Sequence, residues 1–516
     1  MYNIKDFGTE GNGQNSTAAL QAAADKCREA GGGTIVIPAG EYVISSVRLY
    51  SNTTVELADG ARLLLDNNEE NYGKQRGQYE TAIARDVKAV LGVENTEKLG
   101  YLMRMFLEVL RLRTDTMFFA EDAENITIKG GTLDGRFPLF YNTDVGQSFN
   151  PNTPRWQRTQ PRFSAKKAFR PHMLVFRQCK NILLEKIDIL NAPFFNIRIL
   201  ECDTVRCEKL NVETDVRCVN TDGINIGASR NCILHGCHLV TGDDSIAISV
   251  GENLVQNGNC ENITVSDCSG ESSTNFVRVF SGIDIDLGCG YGIRGADALN
   301  IARNQKVSNV LITDCDVSEG GMNVISTYGS VENVTFRNLK TSQSGGSPAV
   351  FMAIQKEGKI ENISFENLDC KTKGIATIMG TDRESVKNIK FSGCNFYVEP
   401  STRLFGNGII DPLIHYWIQA MAPYNLYIRH ANDVCIENSE VKWGDADFSE
   451  LMQLADVNVR PECYRSLWRD DMNPRDSFPC VSAFDVHELV IENFKCTGFN
   501  GCEWIESEKT DNLIIK

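Results

Sequence analysis

Short segments in which apolar and polar residues alternate recur through most of this chain of 516 residues. The clearest copies are ENITIKG (124–130), KNILLEK (180–186), RNCILHG (230–236), ENITVSD (261–267), SNVLITD (308–314), ENVTFRN (332–338), ENISFEN (361–367) and KNIKFSG (387–393). With weaker copies at 203–209, 432–438 and 487–493, most neighbouring copies lie about 23 to 31 residues apart. Such a unit cannot bury its apolar face alone, but stacked units share one core. The pattern therefore predicts an all-β parallel β-helix that spans residues 1–516 as a single domain.

The first 66 residues are predicted to close the open end of the coil. Residues 15–17 can cap a helix that runs to about Ala30, where the glycines at 31–33 end it. Short β runs follow between Thr34 and Leu65, with turn residues between them. Without such a cap, a solenoid exposes apolar core and strand edges, so we interpret this segment as an N-terminal cap built on a capping helix.

Two further stretches interrupt the repeat. Apolar residues between Leu99 and Leu110 recur at helical spacing, which predicts a helical insertion at 67–116 on the side of the coil. An oligomer contact or a wall of a cleft is the alternative role for this insertion. Residues 441–479 are irregular and rich in acids, Arg and Trp, and we interpret them as a loop excursion before a last coil.

A basic and aromatic insertion occupies residues 136–170. It carries seven Lys and Arg residues against the single acid Asp144, a local net charge of +6 in a chain of net charge −16. Such a charge run is often only a solvated face. The contrast in sign keeps a second interpretation open, in which this loop lies over a cleft and binds an anionic ligand.

Asparagine and cysteine recur at fixed places in the repeat. The Asn that opens each unit suits a turn, because it tolerates left-handed backbone geometry and its stacked amides can bond to one another. Four cysteines each lie six residues after the Asn of their unit, which predicts an internal cysteine stack: Cys237, Cys268, Cys315 and Cys394. No Cys-x-x-Cys pair or Cys/His cluster with ligand spacing is present, so the sequence gives no reason to expect a metal or another cofactor.

Composition narrows the cellular setting. The net charge of −16 disfavours nucleic acid and anionic membranes as partners, and no apolar run approaches the ~20 residues of a membrane span. The chain opens without the basic and apolar regions of a secretory signal, and 18 cysteines in so long a chain are expected to be reduced core residues. We therefore expect a cytoplasmic protein, with homo-oligomer formation left open.

The stretch from 219 to 248 holds the candidate chemistry. Asp222 follows Asn220 and Thr221 in one turn, and the pair Asp243–Asp244 lies 21 to 22 residues further on, one coil away. Three carboxylates on one surface suit glycoside hydrolysis, which needs one protonated and one ionised carboxyl group across the scissile bond. The alternative is that these aspartates only cap turns beside glycine. Three acids one coil apart repel without contributing to the core, which favours the catalytic interpretation.

Several strings share their order and spacing with one known family. They are KDFG, IPAGEY, GGTLDG (130–135), RPHMLVF (170–176), LNAPFFNI (190–197), NTDGINI and TGDDSIAI. Through them the chain resembles glycoside hydrolase family 28, the polygalacturonase-like, pectin-degrading enzymes. The resemblance implies a right-handed, pectate-lyase-like β-helix and inverting hydrolysis. It also implies that Asp243 is the general acid, while Asp222 and Asp244 hold and deprotonate the attacking water.

The chain departs from that family in two segments. The family's Gly-His-Gly segment is replaced either by residues 274–281, which puts Asn275 in place of the His, or by residues 290–296, which puts Tyr291 there. The Arg-Ile-Lys segment corresponds to residues 320–327, which contain no basic residue. These changes put galacturonic acid specificity in doubt. The candidate substrate-binding residues are Asn220, Asn275, Arg278, Tyr291 and Arg294, and His238 is a candidate to support the acids from behind.

Three hypotheses of function remain open at this stage. The first is an inverting hydrolase that acts on chain ends of small plant-derived oligosaccharides or glycosides, because an added loop at 282–300 would narrow a groove into a pocket. The second is a uronate lyase or epimerase, which needs a basic residue or Ca²⁺ at the sugar carboxylate and a base for the α-proton. The third is a non-catalytic, carbohydrate-binding β-helix, which would be indifferent to Asp243→Asn.

Overall fold

The structure is a computed structural model, and the molecule is described over most of its length. The described residues are 1–72, 115–144, 163–167, 169–250, 258–282, 302–343, 348–354, 356–372, 374–398, 425–444, 480–497 and 504–516. The helical periodicity between Leu99 and Leu110, the candidates Tyr291 and Arg294, and most of the excursion at 441–479 lie outside them.

Strands dominate the described residues. The helical segments are α1 (Thr17–Glu29) and 3-10 turns at Ile4–Phe7, Glu69–Tyr72 and Phe137–Leu139. The strands are β1 (Tyr2–Asn3), β2 (Asn12–Asn15), β3 (Gly33–Ile37), β4 (Gly40–Ile44), β5 (Val47–Leu49), β6 (Thr53–Leu57), β7 (Ala61–Leu65), β8 (Thr116–Glu121), β9 (Glu124–Lys129), β10 (Thr132–Asp134), β11 (Tyr141–Asn142), β12 (Ser164–Ala165), β13 (His172–Arg177), β14 (Lys180–Glu185), β15 (Asp188–Leu190), β16 (Ile197–Leu200), β17 (Asp203–Glu208), β18 (Asn211–Glu213), β19 (Ile224–Gly227), β20 (Arg230–His235), β21 (His238–Thr241), β22 (Ile246–Val250), β23 (Cys260–Ser266), β24 (Ser269–Ser281), β25 (Lys306–Ser326), β26 (Ser330–Gln343), β27 (Val350–Ile354), β28 (Lys359–Thr372), β29 (Ala376–Met379), β30 (Val386–Ser392), β31 (Asn395–Val398), β32 (Leu426–Glu437), β33 (Glu440–Trp443), β34 (Val481–Val486), β35 (Leu489–Glu492), β36 (Lys495–Thr497), β37 (Ile505–Glu508) and β38 (Leu513–Ile515).

Parallel pairing arranges these strands, apart from the antiparallel pair β11–β12, into a right-handed coil with three faces. The first face runs from β1 and β3 through β6, β9, β14, β17, β20 and β23 to β35 and β38. The second runs from β2 and β4 through β7, β10, β15, β18 and β21 to β33 and β36, and the third from β5 and β8 through β13, β16, β19 and β22 to β34 and β37. Long strands such as β24 and β25 bend across two faces. The predicted right-handed parallel β-helix is therefore confirmed.

The core is a stack of inward side chains that follows from the alternation in each repeat. On the first face, Ile126, Ile182, Val205, Cys232 and Ile263 lie in register on successive coils. Each of them is at most 2% exposed, whereas the residues that alternate with buried ones along each strand point away from the core. Period-two alternation produces this division, because successive side chains of a strand point to opposite faces.

The N-terminal helix caps the coil as expected. It buries Leu20, Ala24 and Cys27 against the first strands. Its N-terminus is bonded locally, because Asn15 Oδ1 accepts from the Thr17 amide at 3.1 Å. At its C-terminus the Gly32 amide donates to the Cys27 carbonyl at 2.8 Å. No helix within the described ranges is long and apolar enough to span a membrane.

The recurrent asparagines form an exposed ladder along the first face. Asn262, Asn309 and Asn333 adopt left-handed backbone angles, with φ between 55° and 60°. Each amide nitrogen donates to the side-chain oxygen of the Asn one coil before it: Asn309 to Asn262, and Asn333 to Asn309, both at 3.2 Å. Both properties predicted for the Asn, the turn conformation and the amide ladder, are confirmed.

This ladder yields a stability prediction at Asn309. Asn309→Ala loses two amide bonds and keeps a left-handed backbone that costs an ordinary residue about 1–2 kcal/mol. Asn309→Gly loses the same bonds without the backbone strain. We expect the Ala variant to be about 1 kcal/mol less stable than the Gly variant in urea unfolding. Equal stability of the two variants would show that the backbone conformation contributes nothing at this turn.

The cysteine stack is confirmed with one refinement. Cys237, Cys268 and Cys315 are buried on successive coils, and the thiol of Cys268 is hydrogen-bonded to both neighbours. The column continues through Leu339 and Leu368 before it reaches Cys394. These cysteines therefore serve as core residues. All described cysteines carry free thiols, and all of them except Cys435 and Cys496 are buried.

Candidate active site

The acids lie on the third face, just before two consecutive strands. Asp222 precedes β19 and Asp244 precedes β22, each by two residues, and these strands pair Ile224 with Ile246. The same register continues into the next coil, where Asn275 is the equivalent position. Since adjacent coils are ~4.8 Å apart, Asp222, Asp244 and Asn275 form a column, with Asp243 one residue to its side.

Glycine allows the two acid-bearing turns to approach each other. A Cβ on Gly242 would lie 1.9 Å from the Cys218 carbonyl oxygen, and a Cβ on Gly223 would lie 2.4 Å from the Ser245 carbonyl oxygen. The Gly242 amide also donates to the Thr221 hydroxyl at 3.0 Å. Any side chain at these two positions would push the coils apart, so the Gly residues set the spacing of the carboxylates.

Asp244 is surrounded by strong donors from the next coil. Its Oδ2 pairs with Nε of Arg278 at 2.6 Å, and its Oδ1 accepts from Asn275 Nδ2 at 2.7 Å and from Thr274 Oγ1 at 2.9 Å. The carboxyl group is 2% exposed. Burial raises the pKa of Asp244, Arg278 opposes that rise, and the neighbouring Asp243 adds to it.

Asp243 is also buried but is held more weakly. Its Oδ2 accepts from Asn220 Nδ2 at 3.4 Å, and its Oδ1 lies 3.3 Å from Thr274 Oγ1, whose single proton also faces the closer Asp244 Oδ1. The Asp244 amide donates to the same Oδ1 at 3.1 Å. The two adjacent aspartates therefore have unequal surroundings. Asp244 has three short contacts with donors, one of which is a guanidinium group, whereas the side-chain contacts of Asp243 are long and come from neutral groups.

Asp222 belongs to the coil before. Its Oδ2 accepts from Asn225 Nδ2 at 3.0 Å, and its backbone oxygen accepts from both the amide and the side chain of Asn196 at 2.9 Å. Side chains on the same and neighbouring coils thus bind Asp222, Asp243 and Asp244. Turn capping alone does not account for donors that come from other coils.

The ends of the basic insertion dock beside this cluster. The short ribbon of β11 and β12 places Tyr141 against the turn that carries Asn220, with its phenol oxygen 2.9 Å from the carbonyl oxygens of Pro193 and Val219. Burial raises the pKa of Tyr141 to about 12, so this phenol stays neutral. Arg170, at the other end of the insertion, bonds Tyr141, Val219 and Asn220.

Several described aromatic and basic residues of the insertion make contacts within the fold. Phe137 stacks on Phe163, and Phe140 packs on Phe169. The cations donate to backbone oxygens, Arg136 to Leu65 at 3.3 Å and Lys166 to Pro138 at 2.8 Å. The solvated face and the anion-binding loop both stay open for the rest of the insertion, because residues 145–162 lie outside the described ranges.

The structure brings together some of the predicted residues and not others. Asn220, Asn275 and Arg278 join the acid cluster. His238 does not: it lies on the second face, where its side chain is exposed and its Nδ1 bonds the Ser269 hydroxyl at 2.9 Å. The expectation that His238 supports the acids is corrected, because the coil turns between β21 and the acids.

Four residues of the site were missed by sequence reasoning: Thr274, Asn225, Arg170 and Tyr141. Arg170 opens the string RPHMLVF, which belongs to the family resemblance, so that string was the available pointer to it. Nothing local in the sequence distinguishes Thr274 or Asn225 from other small polar residues near strands.

Fold and site together define a right-handed β-helix with three buried aspartates on one face. The protein-family model described as "Glycosyl hydrolases family 28" matches residues 111–262 of the sequence. A second family model, "Rhamnogalacturonase A/epimerase, pectate lyase-like", matches residues 1–56. A solved structure of a family 28 exopolygalacturonase from Yersinia enterocolitica shares the fold, with a TM-score of 0.50 and 16% identity over 99% of this chain and 77% of the other. The chain is similar to glycoside hydrolase family 28, as a divergent match over residues 111–262.

Curated relatives agree with this assignment at low identity. A protein named "Probable polygalacturonase" from Arabidopsis thaliana is 32% identical over 157 residues, which is 30% of this chain and 29% of the relative. An exopolygalacturonase from Platanus acerifolia is 22% identical over 354 residues, 66% of this chain and 71% of the relative. The alignment with a Vitis vinifera relative spans 44% of that protein's length.

Proposed function

We propose that this protein is an inverting glycoside hydrolase in which Asp243 donates a proton to the leaving oxygen. The observation that supports this most strongly is the unequal environment of the two adjacent aspartates. The Arg278 guanidinium and the Nδ2 group of Asn275 can only donate hydrogen bonds, and they contact both oxygens of Asp244. These donors oppose the rise that burial causes in the pKa of Asp244. In this proposal Asp244 therefore acts as the carboxylate, while Asp243, whose side-chain bonds are long and neutral, supplies the proton.

The two remaining carboxylates, those of Asp222 and Asp244, bind and activate the attacking water molecule in this proposal. Asp222 and Asp244 are one coil apart on the same face, and Asp243 lies beside them. In this proposal they hold a water molecule, and one of them takes its proton as its oxygen attacks the anomeric carbon. Asp243 protonates the departing oxygen on the opposite side of the sugar. Inversion needs about 6.5–9.5 Å between acid and base, which diverging side chains on adjacent coils can provide.

The proposed substrates are pectin-derived oligosaccharides or small glycosides, attacked at chain ends. Relatives from Platanus acerifolia and Zea mays are named exopolygalacturonases, which supports action at ends. If Asn275 takes the place of the histidine of polygalacturonases, that position is neutral and is already bonded to Asp244 and Asn323. In the proposal Arg278 replaces the missing basic residues beside the site, from within the same coil.

A panel of aryl glycosides and short oligosaccharides tests this proposal. The panel contains galacturonides, galactosides, rhamnosides, xylosides and arabinosides, and NMR identifies the first-formed anomer. We expect release of one sugar class with inverted configuration. Release with retained configuration would contradict the roles given to Asp222 and Asp244. Sugar binding without release of any sugar would favour a binding protein on the same fold.

Metal removal separates the hydrolase from a Ca²⁺-dependent lyase. Proton donation by Asp243 and water activation by carboxylates need no metal ion. We expect full activity after dialysis against EDTA, measured on the substrate that the panel identifies. A uronate lyase that holds its substrate through Ca²⁺ would lose activity and recover it with added Ca²⁺, and it would form an unsaturated product that absorbs in the ultraviolet.

A further inference from the structure

Arg170 lies outside the acid cluster but bonds three groups next to it. Its Nη1 donates to the Tyr141 hydroxyl at 2.6 Å and to the Val219 carbonyl at 2.8 Å, and its Nη2 donates to Asn220 Oδ1 at 3.2 Å. The guanidinium carbon lies over the Phe194 ring, 4.4 Å from the ring centre. A planar fork held by an aromatic ring on one side and by three acceptors at its edge has little freedom to move.

This contact fixes which way the Asn220 amide points. The two ends of a side-chain amide have similar shape, but arginine can only donate hydrogen bonds. The oxygen of Asn220 must therefore face Arg170, which turns the NH₂ group toward Asp243 Oδ2 at 3.4 Å. Asn220 also has a left-handed backbone, with φ of 58°, and Arg170 bonds the carbonyl group of the preceding Val219.

We propose that Arg170 is a positioning residue that orients the Asn220 amide toward Asp243. The inference rests on the proposed function and adds to it a residue that reaches the acid only through Asn220. The oriented N–H group stabilises the carboxylate that Asp243 becomes when it gives up its proton. Without Arg170 the amide can flip, and its oxygen then faces the developing negative charge.

Several charged or titratable groups surround Asp243 and bear on its pH dependence. They are Asp244 next to it, Arg278 of the next coil through Asp244, Asp222 of the preceding coil, and Tyr141 and Arg170 of the insertion ends. Tyr141 stays neutral in the working range because its pKa is about 12. Replacing Arg170 by an uncharged residue therefore affects Asp243 in two ways. The Asn220 amide is no longer held in its orientation, and one positive charge that does not contact Asp243 is removed.

The test compares Arg170→Met with wild type on the substrate identified by the panel. We expect kcat to fall about 10- to 100-fold with little change in KM, because a misaligned donor acts mainly in the transition state. We also expect the alkaline limb of the pH profile of kcat to move to higher pH, since the acid retains its proton more strongly without the oriented donor.

A double-mutant cycle with Asn220→Ala tests the route. If Arg170 acts through Asn220, adding Arg170→Met to Asn220→Ala lowers kcat no further. If the two substitutions instead lower kcat by independent factors that multiply in the double variant, the inference that Arg170 acts through Asn220 is overturned. Arg170→Lys adds a distinction, because it restores the charge without the planar fork and should recover only part of the rate.

Arg217→Met is the matched control. Arg217 packs the same turn against the same insertion, with Nε bonded to Asp215 at 2.8 Å and its guanidinium 4.2 Å from the Phe163 ring centre. We expect this control to leave the pH profile in place. If both variants lower activity equally without a pH shift, Arg170 is merely structural and the inference is overturned. A wild type that cleaves no glycoside would instead overturn the proposed function, and the catalytic role of Arg170 with it.

Discussion

Replacement of Asp243 by Asn is expected to lower kcat by about 10²–10⁴ on a substrate with a poor leaving group, with KM nearly unchanged. The amide keeps the size of the side chain and, through its oxygen, the contacts with Thr274 and the Asp244 amide. Its NH₂ group cannot accept from Asn220, and it has no acidic proton to give to the departing oxygen. Steady-state kinetics on the wild type and the variant measure the loss. Sugar binding should survive, because the change removes chemistry and not shape.

The dependence of the kcat loss on the leaving group of the substrate distinguishes the acid from the base. A dinitrophenyl group departs without protonation, so the loss in Asp243→Asn should shrink strongly on that substrate. In Asp244→Asn the loss should stay large on both substrates, because the water still lacks its base. Asp316→Asn, an exposed aspartate 3.9 Å from Lys340, controls for the general effect of the substitution. If Asp243→Asn lowers kcat equally on substrates with good and poor leaving groups, the role of Asp243 as the acid is contradicted.

Replacement of Arg278 by Met is expected to destabilise the fold and to shift its pH dependence. The change leaves the buried Asp244 without its guanidinium partner, an effect worth about 3 kcal/mol at neutral pH, the low end for broken buried pairs because Arg278 is about one-fifth exposed. The pKa of Asp244, already raised by burial, rises further once the opposing charge is gone. The acidic limb of the activity profile should therefore move to higher pH, because the base is protonated sooner.

The sign of the stability effect follows from the same shift. Because the folded protein holds the Asp244 proton more tightly than the unfolded chain does, protonation stabilises the folded state. The destabilisation by Arg278→Met should thus be smallest at low pH and grow as the pH rises through the raised pKa of Asp244. Urea unfolding at pH 4.5 and pH 7.5 measures the difference, with about ±10–15% uncertainty from extrapolation.

A second substitution isolates the charge. Arg278→Met combined with Asp244→Asn removes both members of the ion pair, so most of the stability at neutral pH should return, while activity is lost because the carboxylate that activates the water is gone. If the double variant is as unstable as Arg278→Met alone, the loss comes from packing around Arg278, which lies 5.9 Å from the Phe280 ring centre. That outcome would contradict the role given to the ion pair.

The fold could be predicted in detail because its rules are local. Alternation within each unit decides which residues face the core, and an Asn at the turn adopts the left-handed angle with any neighbours. The repeat length places Asp222 and Asp244 one coil apart, since a coil converts sequence distance into position along its axis. The helix at Thr17–Glu29 followed from its own capping residues and glycines.

The chemistry of the site depended on contacts that sequence distance hides. Arg170 lies 50 residues before Asn220, and Tyr141 lies 78 residues before Val219. An insertion separates Tyr141 from Val219, whereas Arg170 and Asn220 lie at equivalent positions two regular coils apart. The repeat spacing alone does not show that side chains two coils apart bond to each other. His238 was close to the acids in sequence but lies on another face, because the coil turns within a few residues.

The sequence by itself determined the coil, its core and the place of the three acids, because strand alternation and turn geometry are properties of each unit. Only the tertiary structure decided which donor each carboxylate receives. Arg278 reaches Asp244 at 2.6 Å across one coil, whereas Asp243 receives only longer bonds. That difference separates acid from base in the proposed mechanism, and it arises from side-chain packing between coils, which local patterns do not encode.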